Sequence, residues 1–489
     1  MHIEKKEKLY DLVIFGAKGD LTIRKLLPSL YKLEKNEKIF KNTRIIGIGR
    51  ANWNRIEYFK IVKKALINYL HFPLEKKVWK LFKSRIFFYN LDINENVCFE
   101  QLKKILNPTE NITIYYLAMP ANTFETVCKG LNFFNLNGKN TRIVIEKPIG
   151  DSFKSSEIIN KKINTYFKES QIFRIDHYLG KETILNLLSL RFANTLFFNN
   201  WSNKIIDHIQ ITVSEEVGIE GRWKYFEKTG QIKDMVQNHL LQILSIIAMS
   251  PPKSLNANDI RNEKVKVLQS LRLINRQNIL KNTVLGQYSF GMINGKKIKS
   301  YLNEEGIKKN SCTETFVAIR TKIDNFRWKG VSFYLRTGKR LPKKCSKIVI
   351  YFKKMPINLF NHSCINIPQN KLTIHLEPNE GIDFQIINKI PGLQPKYLLD
   401  TVKLNFNYSK TFSKNSLSDA YERLLLESMT GNQALFVSHK EIKASWKWID
   451  AITKSWLSTN QTPILYKAGT WGPEKESNEL INQDNQNWD

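Results

Sequence analysis

The segment Arg174-Ile175-Asp176-His177-Tyr178-Leu179-Gly180-Lys181-Glu182 gathers an imidazole, a phenol and an ammonium within five residues, directly after a short apolar run. His177, Tyr178 and Lys181 are hydrogen-bond donors of the kind that hold a phosphate. A carboxylate beside such a cluster, here Asp176, can orient an imidazole. A further imidazole, His239, lies in the mostly apolar stretch MVQNHLLQILSIIAM. Alone on such a helix, a histidine is more often a satisfied core residue than a catalyst. Lys343 and Lys344 belong to a basic stretch, TGKRLPKKCSK, between two expected strands.

A second constellation stands near the N-terminus. The run Leu9–Phe15 ends in Gly16-Ala17-Lys18-Gly19-Asp20-Leu21, and Thr22–Leu33 then reads as a helix. A glycine turn between strand and helix lets backbone N–H groups approach a pyrophosphate at the helix N-terminus. The spacing is GxxGD rather than GxGxxG, and alone it is more often a plain turn. The second strand, RIIGIG, ends in Arg50 with no acid nearby in sequence. An arginine there suits the 2′-phosphate of NADP, where an acid would hold the 2′-hydroxyl of NAD. Met119-Pro120 and Glu146-Lys147-Pro148 fall at the carboxyl ends of two further strands, where open α/β sheets bind ligands.

These residues need elements to position them. Leu9–Phe15, Arg44–Gly49, Phe87–Leu91, Ile112–Ala118, Arg142–Glu146 and Ile172–Ile175 are near-continuous apolar runs alternating with helical stretches. That is the pattern of a parallel sheet buried on both faces, a Rossmann-like α/β domain over residues 1–180. Residues 181–489 read as an α+β domain with a large, mainly antiparallel sheet. Its expected strands are Ile205–Glu215, Thr315–Ile323, Ser332–Arg336, Ile348–Phe352, Lys371–Leu376, Asp383–Lys389 and Lys403–Tyr408, interrupted by helices around Gln231–Met249 and Ser418–Met429. The last dozen residues, rich in Asn, Gln and Glu, read as a frayed tail.

The 489 residues carry a formal charge of +31 at pH 7. Such a charge raises nucleic-acid binding as a reading. The lysines are dispersed from end to end rather than gathered in a patch, so no nucleic-acid partner is expected. Cys98, Cys128, Cys312, Cys345 and Cys364 are odd in number and form no CxxC, as reduced thiols would be. No run approaches the roughly 20 apolar residues of a membrane span, and the charged N-terminus lacks a signal-peptide core. A cytoplasmic protein without a membrane partner is expected.

The run RIDHYLGKE resembles the signature of glucose-6-phosphate dehydrogenases. So do GAKGDL, the EKP turn, Glu215-Glu216-Val217-Gly218, Asp234-Met235-Val236-Gln237-Asn238-His239, Arg336-Thr337-Gly338-Lys339-Arg340-Leu341 and Ala468-Gly469-Thr470-Trp471-Gly472-Pro473. The likeness spans nearly the whole chain in order and is greatest to bacterial members. Thr22 departs from it, standing where the family often has Ala. The resemblance implies oxidation of D-glucose 6-phosphate at C1 to 6-phospho-D-glucono-1,5-lactone with hydride transfer to NADP, the first step of the oxidative pentose phosphate pathway. His239 would be the general base and Asp176 its orienting partner, since Asp234, five residues before His239, need not share its helix face. His177, Tyr178 and Lys181 would grip the phosphate, and Lys147, Glu215, Asp234, Lys339 and Lys344 would contact the sugar or line its pocket. Gly16, Lys18, Gly19, Asp20, Leu21, Arg50 and Lys147 would hold the cofactor. No metal is expected, because the oxidised nicotinamide is itself the electrophile. The resemblance further implies a cis Lys147–Pro148 peptide and a homodimer or homotetramer built on the large sheet. His2, His71, His208, His362, His375 and His439 receive no role. The rival enzyme class, the glucose–fructose oxidoreductase type, shares a Rossmann domain and an EKP lysine but leaves RIDHYLGKE unexplained. A basic binding protein explains none of the separated polar motifs.

Overall fold

The structure is a computed structural model that describes residues 9–360, 367–393, 398–412 and 418–489. His2, His362 and Cys364 lie outside the described residues. The chain divides into two compact units. The first comprises Met1–Gly180, Lys253–Arg261 and Ser418–Lys443; the second comprises Lys181–Pro252, Asn262–Leu417 and Ala444–Asp489.

The first unit is a doubly wound sheet. Its strands are β1 (Tyr10–Phe15), β2 (Thr43–Gly49), β3 (Ile86–Asn90), β4 (Ile112–Leu117), β5 (Thr141–Ile145) and β6 (Ile172–Ile175). They run parallel in the order β6-β5-β4-β1-β2-β3, with Phe436–Val437 added antiparallel beside β6. Every residue of β1 and β4 is buried, which is why both read as near-continuous apolar runs. The strand order reverses between β1 and β4, where Phe15 pairs with Leu117 on one side and Ile48 on the other. Ligands bind at the carboxyl ends of strands at such a switch point. The later segment Ser418–Lys443 is tied in by polar contacts. Lys32 pairs with Glu422 at 3.1 Å, and the Arg142 guanidinium donates to the carbonyls that end helix Ala420–Thr430, Ser428 at 2.7 Å among them.

The second unit is built on a nine-stranded sheet. Its order is Leu399–Asn407, Gly381–Lys389, Lys371–Glu377, Cys345–Phe352, Ile206–Ser214, Ser332–Gly338, Phe316–Lys322, Thr283–Ser289 and Ile464–Lys467. It is mainly antiparallel; Ser332–Gly338 runs parallel to Ile206–Ser214, and Ile464–Lys467 parallel to Thr283–Ser289. The strand Thr283–Ser289 escapes the apolar-run reading because Gly286 and Gln287 interrupt it.

The expected frayed C-terminus is corrected. Glu474–Asn482 is a helix whose Leu480 and Ile481 are buried. Beyond it, Asp484 accepts from the Arg320 guanidinium, from Ser332 Oγ at 2.7 Å and from the Tyr334 hydroxyl. Burial alone would raise this carboxyl, but those donors hold it down to about 2. Composition signals fraying, yet one half-buried carboxylate with four donor groups ties the segment to the sheet. Among the described residues no helix is long and apolar enough to cross a membrane. Cys98 and Cys128 are buried free thiols pushed up to about 12 by desolvation.

Candidate active site

Gly16, at the end of β1, has φ +96°. A Cβ there would fall 2.4 Å from the Ala118 carbonyl oxygen, so only glycine lets β1 and β4 close at the switch point. The Gly16 carbonyl accepts from Gly19 N–H at 2.9 Å and from Thr22 Oγ1 at 2.9 Å. The Thr22 hydroxyl is therefore committed inside the turn. The cavity above the turn has a volume of about 570 Å³ and is lined by Gly16, Lys18, Arg50, Asp92, Asn94 and Met119 among others. Arg50 is 77% exposed and stands 3.9 Å from the Asp92 carboxylate. The expectation of no acid near Arg50 is corrected: the acid comes from the end of β3, remote in sequence but adjacent in the sheet. Gly19, Asp20, Leu21 and Lys147 do not line this cavity; Asp20 is exposed and pairs with Arg24 at 2.6 Å.

The other strand ends of this unit carry titratable groups. The Lys147–Pro148 peptide is cis. Beside it, Glu146 accepts from the Tyr116 hydroxyl at 2.6 Å, and desolvation pushes its carboxyl up to about 7. Asp176 is buried directly after β6, and its Oδ1 accepts from the Tyr178 N–H at 3.0 Å. The His177 ring stacks on Tyr421 of helix Ala420–Thr430, 6.3 Å between centroids. Tyr178 is buried. Gly180 lies against the same helix, where a Cβ would meet the Ala420 carbonyl at 2.6 Å.

In the second unit, His239 and Asp234 share the helical segment Ile232–Leu240, which has the wide i→i+5 hydrogen-bond pattern. Such wide turns are rare and recur at functional sites. In an ordinary α-helix a five-residue step places two side chains well apart around the axis. In the wide turn it is close to one revolution, so both residues come round to one side, and both are buried. The segment is pinned at its start by Glu314, whose carboxylate accepts from Ile232 N–H at 3.0 Å and whose carbonyl accepts from Gln231 N–H at 3.0 Å. Desolvation pushes the Glu314 carboxyl up to about 7. Asp234 Oδ1 accepts from the Tyr225 hydroxyl at 3.1 Å.

Four other residues of this unit meet in two clusters. Lys339, almost fully buried, pairs with Glu215 at 2.8 Å; Gln231 Nε2 donates to Thr337 Oγ1 at 2.9 Å and lies 3.4 Å from the Glu215 carboxylate. Lys181 and Lys344 meet on one oxygen of Glu377, at 3.0 and 3.3 Å. Burial lowers the Lys181 ammonium against the pull of Glu377. Burial would raise Glu377, but the two lysines hold it below the usual carboxylate range. Asp92, Gln231, Glu314 and Glu377 carry no site role in the sequence reading, and Glu146 enters it only as part of the EKP turn. Each stands at or just beyond the end of a strand or helix, and that position was the available signal. His208, His375 and His439 each pair with a carboxylate, of Asp207, Asp383 and Glu157, as structural histidines do.

Residues 13–186 match the family description "Glucose-6-phosphate dehydrogenase, NAD binding domain", and residues 188–489 match "Glucose-6-phosphate dehydrogenase, C-terminal domain". The chain is 55% identical over 488 residues to the glucose-6-phosphate 1-dehydrogenase of Dickeya dadantii (strain 3937), covering 100% of this chain and 99% of that one. It is 56% identical over 489 residues to that of Buchnera aphidicola subsp. Baizongia pistaciae (strain Bp), covering 99% and 100%. A solved glucose-6-phosphate dehydrogenase in complex with its substrate glucose-6-phosphate superposes with TM-score 0.90 at 32% identity, covering 99% of each chain. The chain belongs to the glucose-6-phosphate dehydrogenase family.

Proposed function

We propose that this chain oxidises D-glucose 6-phosphate at C1 and passes the hydride to NADP. The observation that carries the reading is the full-length match to chains named for that activity, a span that includes the RIDHYLGKE, DMVQNH and RTGKRL segments. When bound, the oxidised nicotinamide accepts the hydride. His239 takes the proton of the C1 hydroxyl as the C1–H electron pair departs, and the carbonyl of the lactone forms. Asp176 holds His239 in the useful tautomer. His177, Tyr178 and Lys181 bind the phosphate, while Lys147, Glu215, Asp234, Lys339 and Lys344 position the sugar. A spectrophotometric assay with glucose 6-phosphate and with free glucose tests the reading. Equal turnover of both sugars would favour the glucose–fructose oxidoreductase class instead.

The residues of the Gly16 turn fit a dinucleotide. Gly16 lets the end of β1 close on Ala118, and the cavity adjoining the turn has the size of a cofactor site. Lys18 and Arg50 supply the cations at its rim. Gly19, Asp20 and Leu21 serve by building the turn and the first helical residues, and Lys147 reaches the cofactor from β5. Arg50 is the choice for the 2′-phosphate, because its pairing with the Asp92 carboxylate is long, at 3.9 Å, and solvent-screened. Arg50→Ala is expected to weaken NADP by about 1.5 kcal/mol, roughly tenfold, with NAD little affected. The check is kcat/KM with both nucleotides; an NADP-to-NAD ratio that stays within about twofold would assign the phosphate to another cation.

We also expect a homodimer or homotetramer. The outermost strand of the large sheet, Leu399–Asn407, exposes Val402 and Leu404, and Leu398 and Phe412 flank it. An exposed apolar edge strand calls for a cover, and a C₂ pairing of identical edges is the simplest. Light scattering at micromolar concentration should return at least twice the chain mass; a monomer would refute this.

A further inference from the structure

Lys181 and Lys344 present their ammonium groups to a single carboxylate oxygen, Glu377 Oε1. Two ammoniums this close repel, and one shared anion is what lets them occupy one niche. Lys181 keeps only 10% of its side chain exposed, so it cannot turn to water for compensation. The geometry is that of a phosphate oxygen accepting from two lysines, with a carboxylate oxygen in its place. Glu380 lies close by; burial and the Glu377 charge raise its carboxyl while Lys181 lowers it. The niche therefore already holds its anion and resists another.

We infer that Glu377 is an internal competitor for the substrate phosphate, and that it sets the affinity for phosphate-bearing ligands below what Lys181 and Lys344 would give alone. The inference rests on the proposed role of those lysines in binding glucose 6-phosphate. An arriving phosphate ester takes the Lys181 ammonium from Glu377, draws on the Lys344 charge beside it, and leaves the carboxylate a few ångströms from a dianion. Part of the attraction is thus spent displacing an anion that is always present. For an enzyme whose product carries the same phosphate, this shortens the stay of both substrate and product.

The test is Glu377→Gln, which keeps the shape and an acceptor oxygen but removes the charge. The KM for glucose 6-phosphate should fall about three- to tenfold, the effect of removing one charge near a dianion under solvent screening. The inhibition constant of inorganic phosphate, competitive with the sugar, should fall by a similar factor, and kcat should change less than KM. Glu377→Asp, which restores the carboxylate, should return both constants toward the wild-type values. A purely structural role would raise KM in Glu377→Gln, and that result, or constants unchanged within about twofold, overturns the inference. Should Glu377→Gln fail to fold, Glu377→Ala carries the same sign. The underlying reading is judged separately on the wild-type enzyme. If wild type does not prefer the phosphorylated sugar, that reading fails; if it does and neither variant binds phosphate more tightly, the competitor role alone fails.

Discussion

His239→Asn is expected to lower kcat for glucose 6-phosphate by about 10²–10⁴, the usual contribution of a positioned general base, with little change in KM. A neutral imidazole is the side chain best suited to take a proton from a hydroxyl. Asn keeps a polar head of similar reach but cannot accept a proton. The segment that carries His239 is fixed by contacts that do not involve its ring: Glu314 holds its start and Leu240 and Leu241 are buried after it. The loss should therefore fall on chemistry rather than on folding or binding. Asp176→Asn should lower kcat as well. Oδ1 of Asp176 is engaged by the Tyr178 N–H, so the amide would place its carbonyl there and turn its NH₂ group outward as a donor. An orienting acceptor becomes a donor, and the imidazole is held in the wrong tautomer. Steady-state rates at 340 nm with circular dichroism as a folding control decide the matter. Near-normal turnover in His239→Asn would remove it as the base.

The parts of this reading that were legible in sequence share a physical property: their signal is local. β1, β2 and β4 are buried on both faces, so each is an apolar run whatever surrounds it. The Gly16 turn is a short spacing, and its need for glycine follows from one backbone contact. What escaped was long-range. Asp92 reaches Arg50 only because β3 lies beside β2. The helix Ala420–Thr430 belongs with the first unit through Glu422 and its terminal carbonyls, not through any composition of its own. The Asn- and Gln-rich C-terminal segment is held by Asp484, whose donors lie about 150 residues earlier, and by Asp489, which pairs with Lys347 and Lys371. The wide turn of Ile232–Leu240 has no periodicity that separates it from an α-helix over nine residues. Glu314, which holds the start of the His239 segment, and Glu377, which pairs with Lys181 and Lys344, are ordinary strand-flanking acids until the sheet brings their partners to them.

Lys181→Ala should raise the KM for glucose 6-phosphate about tenfold to a hundredfold, since a hydrogen bond to a charged group contributes roughly 1.5–3 kcal/mol. Lys181 is the better buried of the two lysines on Glu377, with 10% of its side chain exposed against 61% for Lys344. Water screens its charge least, so most of the phosphate attraction in this cluster should pass through it. Free glucose has no phosphate to lose, and its KM and kcat should shift little. That contrast separates loss of a phosphate ligand from a general disturbance of the fold, which would harm both sugars alike. The neighbourhood adds a second, sharper expectation. Removing Lys181 leaves Glu377 with Lys344 alone, so the carboxylate is less neutralised and repels the phosphate more strongly than in the wild type. Adding Glu377→Gln to Lys181→Ala should then recover part of the lost affinity, and the two effects should not simply add, as groups in one ion network do not. If instead glucose and glucose 6-phosphate suffer equally in Lys181→Ala, the lysine does not bind the phosphate, and the imidazole of His177 and the phenol of Tyr178 must carry it without this ammonium.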